Sequence, residues 1–174
     1  MKRLIIGNSG SGKTWLAQQL ASYSGAVVIH FDDLFWQPGS FEQKRDPQDV
    51  LALIEQSKLA SAWIAEGVFG HMARQYLRAA DELIWLNLPL ELCLERIRQR
   101  SAQSSQHLNR PQTEQGLNDL LAWAAQYYDR TTRSSYTGHQ ALFQAFSKAK
   151  YCLSSEKAVE LFLQHRQAPR QRSP

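Results

Sequence analysis

The stretch that decides the fold lies near the amino terminus and reads Leu4-Ile5-Ile6-Gly7-Asn8-Ser9-Gly10-Ser11-Gly12-Lys13-Thr14. A short apolar run precedes a loop with the spacing G-x-x-x-x-G-K-[ST], and the segment from Trp15 to Leu20 follows with a helical composition. Glycines let the backbone approach phosphate oxygens closely, and successive N–H groups at a helix start attract an anion. The stretch therefore predicts a strand, a phosphate-binding loop and a helix, in that order.

The loop also indicates the ligand. Lys13 is expected to reach the β- and γ-phosphates of ATP, and the Thr14 hydroxyl is expected to coordinate Mg²⁺. The residues expected to bind these cofactors are Gly7, Asn8, Ser9, Gly10, Ser11, Gly12, Lys13 and Thr14. A dinucleotide site is disfavoured because the G-x-G-x-x-G spacing and an acidic ribose contact are not both in register. The predicted cofactors are ATP and Mg²⁺.

Short apolar runs alternate with helical patterns along the rest of the chain. The runs are 4–6, 26–29, 63–65, 83–86 and 151–153. Five strands separated by helices form a parallel sheet that helices cover on both faces. Apolar residues at helical spacing, such as Leu90, Cys93 and Ile97, are interpreted as helix faces that pack on this sheet. The pattern predicts an α/β fold with a single domain over residues 1–164.

Two segments lack these patterns. Residues 101–115 are polar and contain Pro111, so we interpret them as a mobile excursion within a lid at about 101–118. Residues 165–174 contain two prolines and three arginines, and they are predicted to form a disordered basic tail.

Charge limits the expected partners. The net charge is +4 and the pI is about 9.2, but three of the 20 basic residues lie in the tail. Without those three, 17 basic residues remain against 16 acidic ones, so the body of the protein is nearly neutral. Nucleic acid is therefore not an expected partner, and the expected partners are ATP and a small-molecule acceptor.

Hydropathy and cysteine content exclude further classes. The first residues lack the apolar segment of a signal peptide, and no stretch is long enough to span a membrane. A cytoplasmic protein without membrane contact is therefore expected. Cys93 and Cys152 lie in apolar stretches and are interpreted as buried small hydrophobic residues, not as metal ligands or a disulfide. The oligomeric state is left open.

Carboxylates follow two of the predicted strands. Ligands of an open parallel sheet bind beyond the carboxyl ends of its strands, so Asp32, Asp33 and Glu66 are expected to converge on the loop. Phosphoryl transfer needs one carboxylate to orient or deprotonate an acceptor hydroxyl and another to hold Mg²⁺. We assign Asp32 to catalysis and acceptor binding. Glu66 is assigned to acceptor binding and, with Thr14, to the metal. A helix cap or a solvated loop residue is the alternative for each carboxylate.

Arginines supply the remaining catalytic candidates. Arg96 and Arg100 are four residues apart on a predicted helix, and Arg130 lies beyond the polar excursion. Arginines on a closing lid neutralise the charge that grows on phosphates during transfer. We therefore place these three with Lys13 and Asp32 in the catalytic set. An ordinary solvated basic face is the alternative.

The expected acceptor site combines aromatic and cationic residues. Stacking favours Phe35 and Trp36, and the attraction of an anionic acceptor favours Arg45 and Arg74. Surface or packing roles are the alternative for each. Together with Asp32 and Glu66, these residues complete the predicted substrate-binding set.

Several segments carry a family resemblance. They are the loop 7–14, His30-Phe31-Asp32-Asp33-Leu34-Phe35-Trp36 with Pro38-Gly39, Trp63-Ile64-Ala65-Glu66-Gly67, Asp81-Glu82-Leu83-Ile84-Trp85-Leu86, and Arg96-x-x-x-Arg100. Over most of its length the chain resembles the adenylate-kinase-related P-loop kinases, and more closely the group named DNA topology modulation proteins. The resemblance implies a sheet of strand order 2-3-1-4-5, a substrate-covering segment after the second strand and an arginine-bearing lid after the fourth.

The chain also departs from these relatives. Glu66 stands where the closer group usually has aspartate, and Val68 replaces a more polar position, so a different acceptor pocket is implied. No nucleoside-monophosphate signature occurs over residues 32–45, which argues against AMP as the acceptor.

The sequence thus favours an ATP-dependent phosphotransferase, a small-molecule or nucleotide kinase whose acceptor it does not identify. The alternative is a nucleotide-dependent regulator or DNA-associated P-loop protein, supported by the name of the closer group and by the basic tail. A third possibility is a P-loop ATPase without an organic acceptor. It is disfavoured because the third predicted strand ends in Glu66 and not in the aspartate expected of such ATPases.

Overall fold

The computed structural model describes residues 1–39, 43–102 and 113–167, without the side chains of residues 100–102 and 167. The described elements are β1 (Lys2–Gly7), α1 (Lys13–Ser24), β2 (Val27–His30), α2 (Phe31–Phe35), α3 (Pro47–Ser57), β3 (Trp63–Gly67), α4 (Gly70–Tyr76), β4 (Glu82–Leu86), α5 (Leu90–Ala102), α6 (Glu114–Ala125), α7 (Tyr136–Ala145), β5 (Ala149–Leu153) and α8 (Glu156–Gln167). Among these helices, none is long and apolar enough to cross a membrane.

The five strands form one sheet in the order β2-β3-β1-β4-β5, and every pair is parallel. The predicted α/β fold and the strand order 2-3-1-4-5 are therefore confirmed. The central strand β1 places Ile5 opposite Glu66 on one side and opposite Ile84 on the other. Consequently the segment after Gly7 leaves the sheet at the middle of its carboxyl edge.

Alternating side chains of the central strands point to opposite faces of the sheet, as the two-residue period of a strand requires. Leu4 and Ile6 join the apolar core on the face covered by α3, α4 and α7, whereas Ile5 joins the core on the face of α1 and α8. The same alternation separates Trp85 from Ile84 in β4. Because both faces are covered, the central strands read as continuous apolar runs in the sequence.

Helix starts follow local hydrogen bonding. Asp46 caps α3 by accepting a hydrogen bond from the backbone N–H of Gln48 at 2.8 Å, and Pro47 occupies the first helical position. Asp32 and Asp33 were expected to close the second strand, but β2 ends at His30 and both aspartates lie in the first turn of α2. There they complement the positive end of the helix.

The first residues of the predicted tail are helical, because α8 extends through Gln167. Arg166 pairs with the buried carboxylate of Glu82, which also accepts a hydrogen bond from Arg3 Nε at 2.9 Å. Residues 168–174 lie outside the described residues. The prediction for Cys152 was wrong, since this thiol is exposed whereas Cys93 is buried.

The lid prediction falls largely outside the described residues, which exclude 103–112. At its two ends the chain is helical: residues 101 and 102 finish α5, and residues 114–118 belong to α6. Thr113 caps α6 by accepting a hydrogen bond from the Gly116 N–H at 3.0 Å.

A buried chain of hydrogen bonds joins β4 to the turn after β3. Trp85 Nε1–H can only donate, and it donates to the Tyr127 hydroxyl at 3.2 Å. That hydroxyl then donates to Nδ1 of His139 at 2.7 Å, and His139 Nε2–H donates to the Val68 carbonyl at 3.0 Å. These directions are those of a neutral imidazole that carries its proton on Nε2. Burial accordingly lowers the pKa of His139 from 6.5 to about 3.

This histidine makes the free energy of unfolding depend on pH. Between pH 6.5 and about 3 the unfolded chain binds a proton that the folded protein excludes, so stability falls as the pH falls through this window. Between pH 7 and pH 5 the contribution is about 2 kcal/mol. We expect His139→Gln to lose about that much less stability than the wild type over the same interval, measured by urea unfolding.

The exposed His165→Gln is the control for removing an imidazole as such. Equal losses of stability in His139→Gln and the wild type between pH 7 and pH 5 would contradict the neutral, buried assignment of His139.

Candidate functional site

The phosphate loop, residues 7–14, has a conformation that its glycines make possible. Gly10 and Gly12 have φ values of 76° and 91°, in the left-handed region that other residues rarely adopt. A Cβ on Gly10 would lie 2.1 Å from the carbonyl oxygen of Cys93 in α5. Glycine is therefore required here both for its backbone angles and for its lack of a side chain.

Asn8 attaches the phosphate loop to α6, a role that the motif alone does not reveal. Its buried side-chain Nδ2 donates to the Ala124 carbonyl at 3.0 Å, while its Oδ1 accepts from the Ser9 N–H at 2.8 Å. Asn8, the first variable position of the G-x-x-x-x-G-K-[ST] motif, thus attaches the loop to a helix that is distant in sequence.

Lys13 and Thr14 begin α1 on the inner side of the loop. The Lys13 side chain is almost buried, and Nζ donates to the Asn8 carbonyl at 2.8 Å. The Thr14 hydroxyl donates to Glu66 Oε1 at 2.9 Å. The structure therefore brings together the two residues predicted to hold the metal. Within the described residues, no group of three or more His, Cys, Asp or Glu side chains forms a metal cluster.

Glu66 is buried at the end of β3 and is paired with His30. Nδ1 of His30 lies 2.7 Å from the same Glu66 oxygen that accepts from Thr14. Burial opposes ionisation of Glu66, but the hydrogen bond from His30 and the charge of Lys13 together lower its pKa. The bond to Glu66 in turn raises the pKa of His30. Glu66 is thus held as a carboxylate. His30 had no assigned role in the sequence analysis, although it precedes the two aspartates directly.

Asp32 has the opposite tendency. Burial, followed by the negative charge of Glu66, raises the pKa of the Asp32 carboxyl, and the charge of Lys13 only partly offsets this. A hydrogen bond from Trp36 also acts to lower it. Asp32, Glu66 and Lys13 therefore share one electrostatic environment, although they come from three different elements.

An aromatic cluster, defined as Phe35, Trp36, Phe69 and His71, lies beside Asp32. The Phe35 ring centroid is 4.7 Å from Trp36, 4.4 Å from Phe69 and 6.0 Å from His71. Burial and the charge of Arg133 lower the pKa of His71. Phe69 and His71 are members that the sequence analysis missed. Their position directly after β3 and Glu66 was the available signal.

Cations border this cluster. Lys44 Nζ lies 5.8 Å from the Phe35 ring centroid, and Trp36 and Lys44 form an antiparallel bridge. Arg45 Nη2 donates to the Asp33 carbonyl at 3.4 Å. The predicted acceptor residues Phe35, Trp36 and Arg45 are thus neighbours of Asp32.

Arg74 is not part of this site. It lies in the last turn of α4, in a cavity that it shares with Lys58 and Arg78. The Lys58 carbonyl accepts a hydrogen bond from Lys2, the first residue of β1, so this cavity lies at the amino edge of the sheet. The phosphate loop lies at the opposite edge, so the structure does not bring Arg74 together with the other predicted acceptor residues.

The predicted catalytic arginines occupy different positions. Arg96 contacts the phosphate loop directly: Nη1 donates to the Ser11 carbonyl at 3.3 Å, and Nη2 pairs with Glu156 of α8 at 2.5 Å. Arg130 stacks on Trp123 with its guanidinium carbon 3.6 Å from the ring centroid, and it donates to the Trp123 and Ser134 carbonyls. The side chain of Arg100 lies outside the described residues.

The close contact of Gly10 gives a test of the loop geometry. Gly10→Ala and Gly25→Ala both place alanine at a positive φ, which costs about 1 kcal/mol, but a Cβ at Gly25 meets nothing within 4 Å. We expect Gly10→Ala to be the less stable of the two by about 1–3 kcal/mol in urea unfolding, because the loop must move off α5. Equal stability of the two variants would contradict a clamped loop.

Comparisons with known proteins concern the fold. No protein-family model and no curated protein matches the chain significantly. Shikimate kinase from Acinetobacter baumannii, in complex with shikimate, is 19% identical with a TM-score of 0.53 over 95% of this chain and 89% of that chain. Shikimate kinase from Bacteroides thetaiotaomicron is 14% identical with a TM-score of 0.54 over 96% of this chain and 96% of that chain. An unliganded sugar kinase from a Janibacter species is 17% identical with a TM-score of 0.53 over 94% of this chain and 92% of that chain. The chain has the fold of these P-loop kinases.

Proposed function

We propose that the protein is an ATP-dependent phosphotransferase, a kinase that acts on a small-molecule acceptor bound between Asp32 and the aromatic cluster. The observation that carries this proposal is the joining of the phosphate loop to a buried carboxylate, through Thr14 Oγ1 and Glu66 Oε1 at 2.9 Å, with a second carboxylate beside it. A nucleotide-binding loop with two differently tuned carboxylates suits transfer to an acceptor.

The donor side is formed by residues of the phosphate loop. Its N–H groups and Lys13 would bind the triphosphate of ATP, and Lys13 would exchange its bond to the Asn8 carbonyl for phosphate oxygens. Thr14 and Glu66 present oxygen ligands, which Mg²⁺ prefers, and the lowered pKa of Glu66 keeps its carboxylate ionised. When bound, Mg²⁺ supplies positive charge that stabilises the transferring phosphoryl group.

The acceptor side depends on Asp32. Its raised pKa makes it a stronger base than an exposed aspartate, and it shares the field of Lys13 with Glu66. We assign Asp32 the task of orienting an acceptor hydroxyl and accepting its proton. The aromatic cluster and Arg45 border the space in which that acceptor would bind. The names of the structural neighbours, shikimate kinase and sugar kinase, agree with a small-molecule acceptor.

Arginines complete the proposed mechanism. Arg96 lies within reach of the phosphate loop through its bond to the Ser11 carbonyl, so its guanidinium would stabilise charge on the transferring phosphate. Arg100 and the segment around 101–118 remain the proposed lid. Arg130 requires the loss of two carbonyl bonds and an aromatic stack before it could contact phosphate, so we assign it first to holding α6.

The narrower resemblance to the DNA topology modulation group adds the alternative of a nucleotide-dependent, DNA-associated regulator. Its support was the basic tail, which supplies three arginines. Arg166 is now accounted for by its ion pair with Glu82, and only Arg170 and Arg172 remain for a polyanion. We therefore favour the kinase.

The first test of this proposal is a ligand screen. Thermal shift with a non-hydrolysable ATP analogue and Mg²⁺ should raise the melting temperature, and hydroxylated small molecules should raise it further when one is the acceptor. Lys13→Ala should retain the fold and lose most of the nucleotide-dependent shift, because it removes the charge at the β- and γ-phosphates. The exposed Lys157→Ala is the control. An unchanged shift in Lys13→Ala would contradict the proposed donor site.

The second test separates catalysis from binding. Asp32→Asn retains the volume of the side chain but removes the base, so turnover on a hydroxyl acceptor should fall by roughly 10²–10⁴-fold with little change in ATP affinity. The control is Asp33→Asn at the adjacent exposed position, which should retain turnover. Because the pKa of Asp32 is raised, wild-type turnover should increase with pH through that pKa. Near-normal turnover of Asp32→Asn at saturating acceptor would eliminate Asp32 as the base.

A further inference from the structure

A second group of cations lies at the amino edge of the sheet, away from the phosphate loop. A cavity of about 350 Å³ opens there beside the ends of α3 and α4. The residues that line it are Lys58, Arg74, Gln75, Arg78 and Ala79. Lys2 Nζ donates to the Lys58 carbonyl at 3.2 Å, and the Lys2 N–H donates to Asp81 at 2.7 Å. These bonds place the cavity at the beginning of β1, whereas the phosphate loop follows its end.

Lysines near this cavity are occupied by the protein itself. Lys148 Nζ donates to the Ala80 carbonyl at 2.6 Å, and Lys58 Nζ pairs with Glu55 at 2.6 Å. Lys58 also donates to the Gln75 carbonyl at 3.4 Å. These ammonium groups, with that of Lys2, satisfy carbonyls at the ends of helices and loops, where such bonds are favourable.

Two arginines that line the cavity differ from these lysines, because the described part of the protein does not engage their side chains. Arg74 and Arg78 are four residues apart, and both side chains are exposed. Over the residues that the structure describes, neither guanidinium has an ion pair, a hydrogen bond or an aromatic contact. Glu55 is taken by Lys58, and Asp81 accepts the Lys2 N–H, so the carboxylates nearby are already engaged. The cavity therefore has an excess of positive charge with free donors.

We propose that this cavity is a second anion-binding site, which holds a phosphate-bearing small molecule between Arg74 and Arg78. Guanidinium groups bind phosphate in a bidentate manner, and two of them that line one cavity can contact one phosphoryl group. The volume of about 350 Å³ lies within the range of small-molecule sites. The Gln75 side chain would contact the remainder of the ligand. Since the site lies at the edge opposite to the phosphate loop, its ligand is distinct from the donor and the acceptor.

The test uses inorganic tripolyphosphate as the probe and amide NMR spectra of the full chain at constant ionic strength. The amides of Gln75 and Ala79 report on the cavity, and the amides of Gly12 and Lys13 report on the phosphate loop. We expect both pairs to shift, each with its own saturation curve. Arg74→Ala and Arg78→Ala should each weaken the binding reported by Gln75 and Ala79 by about tenfold and leave the phosphate-loop curve unchanged.

The control is Lys157→Ala, which removes one positive charge from an exposed position of α8. Three results would each overturn the proposal. The first is a shift confined to the phosphate loop, and the second is an equal weakening in Lys157→Ala, which would indicate an effect of net charge. The third is a DNA duplex that shifts Gln75 and Ala79 more strongly than tripolyphosphate at physiological salt, which would make this surface a nucleic-acid contact.

Discussion

The approach of Gly10 to the Cys93 carbonyl is the contact on which the geometry of the site depends. It leaves no room for a side chain, so the phosphate loop rests directly on the backbone of α5. Two further attachments hold other parts of the same loop: Asn8 to the Ala124 carbonyl of α6, and Thr14 to Glu66 of β3. Because these three partners belong to separate elements, the loop cannot move without disturbing the packing on both sides of β1. This rigidity suits a loop that must present N–H groups to phosphate at fixed positions.

The two carboxyls near Lys13 differ in the hydrogen bonds that they accept, and this difference sets the electrostatic character of the site. Lys13 stabilises the charged forms of both Asp32 and Glu66, yet their pKa values move in opposite directions. Burial opposes ionisation of both carboxyls, but at Glu66 the hydrogen bonds from His30 and Thr14 and the charge of Lys13 outweigh it, whereas at Asp32 the charge of Lys13 and the bond from Trp36 do not. Two neighbouring carboxylates thereby acquire two chemical tendencies: Glu66 favours the ionised form, and Asp32 takes up a proton more readily than an exposed aspartate. Position reinforces this division, because Glu66 lies in a central strand and Asp32 in a short helix beyond the sheet.

The fold was accessible from the sequence because its signals are local. Apolar runs marked the five strands, and the loop spacing fixed where β1 ends and α1 begins. Convergence of Asp32 and Glu66 on the loop also followed, since the carboxyl ends of parallel strands share one edge. The bond of Asn8 to α6 and the roles of His30 and His139 were not predicted, because each depends on a partner at least 36 positions away or on a backbone carbonyl that no motif encodes.

Arg74 shows the limit of the same reasoning. Its charge favoured an acceptor role, but α4 runs back along the sheet from its carboxyl edge. Over the seven residues of α4 the chain returns far enough to place Arg74 beside Lys58, near the first residue of β1. The charge of an arginine indicates that it can bind an anion. Only the direction of the helix decides which edge of the sheet that anion would reach.

The end of α8 lies beyond the boundary predicted for the domain, and a buried ion pair explains why. Composition placed the end of the domain at residue 164, yet Arg166 pairs with Glu82, whose side chain is only 2% exposed. Removal of one partner from a buried ion pair costs about 3–5 kcal/mol, because the remaining charge loses its compensation. Among the residues that the structure describes, Glu82 would keep its ion pair with Arg3, while the rings of Tyr151 and Phe162 would lose the guanidinium that stacks on them. At the other end of α8, Glu156 pairs with Arg96. The last described helix therefore also contacts the arginine that lies beside the phosphate loop. The last turn of α8 is therefore anchored to the sheet through Glu82 of β4, although residues 165–167 are the least apolar part of that helix.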